Sequence, residues 1–264
     1  MDIQAYLQRI DYSRPLDLNS ETLRLLQVAH LRTVPFENLS IHEGEPIVLN
    51  DDALFEKIVG RRRGGFCYEL NGLFAALLRA LGFEVAMLSA QVANARGEFG
   101  PDFDHMTLMV TLATRWLADV GFGDSFLEPL RLNERREQVQ GKRAYRIDLD
   151  GAHRILKQRS NHEKWKAQYR FTLQPFQYAD YAEMCEYHQT SPRSHFTRAR
   201  ICSRATAKGR ITLSDMRFIT TTAGDRRRER ILNDEQEYAR LLSEDFDINM
   251  TRNRPPAPRH NPIQ

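Results

Sequence analysis

The feature that most constrains this chain is a change of hydrophobic period at Gly82. Before it, apolar residues recur at helical spacing. Ile3, Leu7 and Ile10 share one face, and Asn19 and Ser20 offer caps for a run carrying Leu23, Leu26 and Leu31 that must end before Pro35. Asp51 and Asp52 precede a run with Leu54, Phe55, Ile58 and Val59. A third run starts near Cys67, carries Leu70, Leu73, Phe74, Leu77, Leu78 and Leu81, and meets Gly82 where a helix stop belongs. After Gly82 the pattern shortens. FEVAMLSAQV, MTLMVTL and WLADVGF are strand-length apolar segments bounded by Gly, Pro, Asn and Asp. Trp165, Tyr169, Phe171 and Leu173 alternate with Lys166, Gln168, Arg170 and Thr172, the pattern of an antiparallel strand with one wet face. A β region over residues 83–173 follows. Residues 175–186 read as helix, ARICSRA and GRITLSDMRFIT as two strands joined at Lys208 and Gly209, and residues 234–243 as a last helix capped by Asn233. The Pro-rich tail RNRPPAPRHNPIQ reads as disordered. A helical block followed by antiparallel strands is an α+β chain.

At 264 residues the chain fits one large domain or two to three small ones. Lys+Arg 38 against Asp+Glu 35 leaves a net charge of +3, which argues against a dedicated nucleic-acid binder while leaving room for a local basic patch to meet an anionic cofactor. The cluster Arg226, Arg227, Arg228, Glu229 and Arg230 reads as a solvated face. No apolar run is long enough to span a membrane. The opening MDIQAYLQRIDYSRP has no apolar signal core, so a cytoplasmic protein is expected.

Cys67, Cys185 and Cys202 are too few for a disulfide framework, which turns attention to thiol chemistry. Cys67 stands in RRRGGFCYELNG, where Gly64 and Gly65 permit a tight turn and a close approach. It falls at the start of a helix, whose free N–H groups and dipole favour a thiolate and could receive an oxyanion; three arginines upstream add positive potential. The alternative is a small buried hydrophobe, the usual state of a free cysteine. His105, in FDHMTLMV, stands at the mouth of a strand, and a strand-end histidine with no chemical role is the default reading. Asp119, in WLADVGFG, is flanked by Leu117, Ala118 and Val120 and is costly to bury without a partner. If the two strands are neighbours, His105 can meet it, and Cys, His and Asp then supply a nucleophile, a base and an orienting acid. No CxxC or HxxxH spacing supports a metal site, and no P-loop or GxGxxG supports a nucleotide site.

RRRGGFCYELNGLF, PFENL (residues 35–39), DHMTLMV, WLADVGFG and SPRSHF (residues 191–196) resemble the blocks of the arylamine N-acetyltransferases in order and spacing, over nearly the whole chain. The resemblance implies an N-terminal helical bundle (residues 1–82), an antiparallel β-barrel (residues 83–190) and a C-terminal α/β lid ending in the Pro-rich tail (residues 191–264), with a cysteine-protease-like core. It implies a Cys67–His105–Asp119 triad that takes acetyl from acetyl-CoA in a ping-pong reaction, without a metal. Arylamines, arylhydrazines and arylhydroxylamines, foreign compounds among them, are the implied acceptors. Phe36 and Phe196 would line the acceptor pocket, and Gly123 and Asp124 would border the cofactor cleft. Arg63 and Glu37 match positions of a structural charge pair. The chain departs from the resemblance at Asp124, where many bacterial members carry glycine; a carboxylate there would repel CoA phosphates if it pointed inward, and would turn to solvent or cap a turn otherwise. The alternatives are a related acyltransferase or amide synthase using another acyl thioester, a cysteine hydrolase, and a non-enzymatic module on the same scaffold.

Overall fold

The computed structural model describes residues 1–160, 163–222 and 226–250; the Pro-rich tail lies outside them. Helices α1 (Ile3–Arg9), α2 (Ser20–Thr33), α3 (Leu39–Glu43), α4 (Asp51–Phe55) and α5 (Cys67–Ala80) build the N-terminal part. Each of three starts is fixed by a side chain that accepts a backbone N–H: Asp2 from Ala5, Asn19 from Thr22 and Asn50 from Ala53. α4 runs on into a π-helical turn, Glu56–Gly60. α5 is buried on every side from Cys67 to Leu78. A helix buried all round is the central post of its core, and Tyr6, Leu23, Leu26, Leu54 and Ile58 from the other helical segments share that core with it.

Strands β1 (Phe36–Glu37), β2 (Glu84–Val92), β3 (His105–Thr111), β4 (Arg115–Ala118), β5 (Leu130–Arg131), β6 (Gln138–Gln140), β7 (Arg143–Asp150), β8 (His153–Ser160) and β9 (Lys166–Phe176) follow. All but β1 form one eight-stranded antiparallel sheet in the order β5-β4-β3-β2-β9-β8-β7-β6. The sheet curls into a nearly closed barrel around Leu88, Leu117, Phe126, Tyr145, Leu156, Tyr169 and Phe171. Side chains bridge the gap between its edges. Gln140 accepts the N–H groups of Leu127 and Glu128 and donates to the Glu128 carbonyl, while Gln138 accepts from and donates to the Arg131 backbone. These bonds satisfy backbone groups that an open edge would leave unpaired.

The C-terminal part contains α6 (Ala182–Thr190), α7 (His195–Arg198), β10 (Ile201–Thr206), β11 (Gly209–Ser214), β12 (Arg217–Thr222), β13 (Arg227–Ile231) and α8 (Glu235–Phe246). Its sheet runs β1-β10-β11-β12-β13, so the PFENL segment supplies an edge strand to an element far along the chain.

Four expectations change in detail. GRITLSDMRFIT is two strands, because Asp215 takes a positive φ of 47° and turns the chain back. Residues 175 and 176 finish β9, and a 3-10 turn, Tyr178–Tyr181, comes before α6. The last helix is capped by Asp234, which accepts from Glu237, while Asn233 donates to the Glu237 side chain. Asp119 lies just past the end of β4 rather than within a strand.

Candidate active site

Cys67 is the first residue of α5, and the loop before it is built by close approach. A Cβ on Gly64 would stand 1.9 Å from the Pro35 carbonyl oxygen, so only glycine lets this strand pass the PFENL segment. Arg63 and Glu37, both fully buried, pair at 3.1 Å beneath the loop, and Arg63 also reaches Glu43 at 3.0 Å. This matches the structural reading of that pair. Glu69, in the third position of α5, accepts the Phe66 N–H at 3.0 Å and pairs with Lys57 at 2.6 Å. The cysteine turn is therefore held by two buried ion pairs and a backbone cap.

His105 opens β3 and Asp119 follows β4, which pairs with β3. His105 Nε2 and Asp119 Oδ2 stand 2.7 Å apart, both side chains buried. Asp119 has further support that the sequence reading missed. Tyr169 donates its hydroxyl to Oδ2 at 3.0 Å, while Asn71 Nδ2 and the Gly121 N–H donate to Oδ1, each at 2.9 Å. Asn71 also donates to the Met106 carbonyl and accepts the Val120 N–H, and Gln27 accepts the Asp119 N–H. Burial works against ionisation of Asp119, but His105, Asn71 and Gly121 outweigh it and hold the carboxyl below its usual range. An ionised Asp119 requires the hydrogen of the neutral imidazole to sit on Nε2, leaving the Nδ1 lone pair free to take a proton. The ring is fixed by Phe122 at 5.0 Å and Tyr169 at 5.2 Å.

Both missed groups left a trace in the sequence. Asn71 is one helical turn from Cys67 on the same face. Tyr169 carries a hydroxyl on the inward face of an alternating strand, where it must find a partner.

Burial pushes the Cys67 thiol above its ordinary range, Asp104 and Asp119 push the same way, and the Met106 backbone N–H opposes them. Removal from water thus works against the help expected from the helix terminus and the arginines upstream. Cys185 and Cys202 are also buried free thiols, Cys185 in the core around α5 and Cys202 under α8.

Cys67 and His105 line a cavity of about 550 Å³, a volume suited to a small-molecule site. Phe36 and Phe196, with ring centroids 6.2 Å apart, Phe122 and Val92 give it apolar walls. Gly123 and Asp124 border it, as do Arg200, Arg210 and Arg227. An adjoining cavity of about 360 Å³ shares Asp124 and Arg210 and adds Arg32, Lys142 and Arg143. Such a basic rim fits an anionic group such as the phosphates of CoA. Asp124 does not face that rim unpaired: its side chain is about half exposed (48%), and Arg143 holds it at 2.7 Å and Arg210 at 3.1 Å.

A family model described as N-acetyltransferase matches residues 19–254. The chain is 32% identical over 251 residues to proansamycin X synthase of Amycolatopsis mediterranei, covering 92% of this chain and 95% of that protein. It is 34% identical over 250 residues to the arylamine N-acetyltransferase / N-hydroxyarylamine O-acetyltransferase of Salmonella typhimurium, covering 93% and 88%. The Mycobacterium marinum arylamine N-acetyltransferase in complex with CoA superposes with a TM-score of 0.87 at 31% identity, covering 95% of this chain and 94% of that one.

Proposed function

Because the chain belongs to the arylamine N-acetyltransferase family of acyltransferases, we propose that it transfers acetyl from acetyl-CoA to an aromatic acceptor in two half-reactions through an acetyl-Cys67 thioester. The acceptor atom is the nitrogen of an arylamine or arylhydrazine, or the oxygen of an arylhydroxylamine. In the first half-reaction Cys67 gives its proton to His105 Nδ1 and its sulfur attacks the thioester carbonyl. The carbonyl–sulfur bond to CoA breaks, and His105 returns the proton to the CoA sulfur. In the second, the acceptor attacks acetyl-Cys67, His105 takes the proton from the acceptor, and the Cys67 thiolate leaves. The Cys67 and Tyr68 N–H groups, which a helix start leaves without intrahelical acceptors, suit the oxyanion of each step.

The observation that carries this reading is the buried 2.7 Å contact of His105 with Asp119, which orients the imidazole beside the cavity that Cys67 lines. A buried thiol whose ionisation is opposed by its surroundings needs such a base. The CoA complex of the M. marinum relative and the two basic-rimmed cavities support a CoA thioester as donor. Phe36 and Phe196 act as acceptor walls, and Gly123 and Asp124 as part of the donor cleft.

Intact-protein mass spectrometry after incubation with acetyl-CoA and no acceptor tests the reading. One acetyl group is expected, lost on Cys67→Ser and discharged by an arylamine. No adduct on the wild-type protein overturns it.

The similarity to proansamycin X synthase favours a second reading, in which the donor is another acyl thioester and an amide is formed. Rates of adduct formation with acetyl-, propionyl- and malonyl-CoA separate the two: a preference for a longer acyl group selects the second.

A further inference from the structure

A second carboxylate–imidazole pair stands at the same cavity, built from residues that the reaction above does not use. Asp104 precedes His105 at the mouth of β3. It lines the cavity with Cys67, and its side chain is 19% exposed. Behind it lies His188 of α6, whose Nε2 is 3.4 Å from Asp104 Oδ1. That ring is only 2% exposed and cannot swing, because Tyr68 stacks on it at 6.1 Å and Phe196 meets it edge-on at 5.1 Å.

The hydrogen positions follow from Asp104 and Ser194 together. The Ser194 hydroxyl oxygen accepts the Phe196 N–H, and it stands 3.2 Å from His188 Nδ1. That oxygen keeps a second lone pair, so it is the acceptor-only carboxylate of Asp104, facing Nε2, that draws the ring hydrogen to Nε2 and lets the hydroxyl donate to Nδ1. The neutral imidazole then carries its own hydrogen on Nε2, toward Asp104. His188 thus offers one donor, held farther from the carboxylate than an ordinary hydrogen bond. A carboxylate at an apolar wall with so little support has unmet demand for an N–H donor or a cation. His195 also lines the cavity; burial, with His188 adding, pushes its protonation down, while Asp104 opposes them.

We propose that Asp104, backed by His188, selects the acceptor: its carboxylate takes an N–H donor or cationic substituent on the acceptor, and turns away acceptors that carry a carboxylate there. The inference rests on the acetyl-transfer reading. It names the acceptor class as aromatic amines or hydrazines bearing a second basic or hydrogen-donating group. His188 acts through Asp104 and is a positioning residue.

The test compares 4-(aminomethyl)aniline, cationic at neutral pH, with 4-aminobenzoate, at saturating acetyl-CoA. The quantity read is the ratio of their kcat/KM values. The acceptor kcat/KM of a two-step transfer does not depend on the donor half-reaction, and the intrinsic reactivity of each aniline cancels between variant and wild type. Wild type is expected to favour the cationic acceptor, and Asp104→Asn to lower the ratio by about tenfold or more, the effect of removing one charge contact in a poorly solvated cavity. His188→Phe is expected to lower the same ratio, and His188→Gln, which keeps a donor, to restore it. Acetyl-Cys67 formation is measured on every protein, and Asp104→Ser carries the comparison if the asparagine variant does not fold. An unchanged ratio in an acetylated Asp104 variant overturns the proposal; absence of acetyl-Cys67 in wild type overturns the acetyl-transfer reading instead.

Discussion

At the scale of single residues the site is governed by how each buried polar group is answered. Asp119 accepts from His105, Tyr169, Asn71 and the Gly121 N–H. An amide in its place keeps the size but presents a donor to groups that already donate. Asp119→Asn is expected to move the imidazole hydrogen to Nδ1 and block proton uptake from Cys67. The rate of Cys67 acetylation, followed by quenched-flow mass spectrometry, should fall about 10³–10⁴-fold, the size of effect seen when a triad acid loses its charge. A fall of less than about tenfold refutes the orienting role. Gly64 is a steric case. A Cβ there would meet the backbone oxygen of Pro35 at 1.9 Å, and no side-chain rotation relieves it. Gly64→Ala is expected to cost more than about 3 kcal/mol in thermal or denaturant unfolding, and a stable variant would show that the loop can shift.

Elements are held by a different set of groups. α1, α2 and α5 meet at His30, fully buried, hydrogen-bonded to the Tyr6 hydroxyl at 2.9 Å and edge-on to Phe74 at 5.5 Å. Burial, with Arg9 adding, pulls its pKa down to about 3. The folded protein therefore keeps His30 neutral at pH values where the unfolded chain, with an ordinary value near 6.5, takes up a proton. The stability this neutral ring allows is complete above pH 6.5 and is lost as pH falls from 6.5 toward 3. Urea midpoints measured between pH 7 and pH 5 should drop, with a slope from this one group of up to about 1.4 kcal/mol per pH unit. His30→Gln should flatten that limb; an unaltered slope would assign it to other groups. Periodicity reported where such helices lie, because α1 and α2 each have an apolar stripe and a polar cap, and α5 is a long apolar run at helical spacing. It failed where neighbours or short turns decide the outcome. The split of residues 209–220 into β11 and β12 hangs on a positive φ at Asp215. The barrel seam depends on Gln138 and Gln140, which are unremarkable in sequence and meaningful only once the sheet has curled. Gln140→Ala should cost about 1–3 kcal/mol, since it strips partners from three backbone groups.

For the whole molecule, the question is what joins the barrel to the C-terminal sheet beside the cavities. Cys67, His105 and Asp119 were legible as candidates because each carries a local signal: a glycine turn at a helix start, a strand mouth, a charge in an apolar run. Asp124 was legible only as an anomaly. Its partners come from β7 and β11, 19 and 86 positions away, and no local pattern announces them. Its carboxylate joins Arg143 of the barrel to Arg210 of the other sheet at the boundary shared by both cavities. The condition for repelling donor phosphates, an unmatched inward carboxylate, is not met, because two guanidinium groups match the charge. The pair and its bridge sum to one positive charge at the cavity boundary, and Asp124→Asn raises that sum to two. The KM for acetyl-CoA should then fall by about two- to tenfold and depend more steeply on salt, as added counter-charge does for any phosphate ligand. Acetylation of Cys67 by p-nitrophenyl acetate, which carries no phosphate, should show no such steepening. A KM for acetyl-CoA that rises instead would mean that Asp124 serves the donor by holding the two arginines in place, and that their geometry outweighs their freed charge.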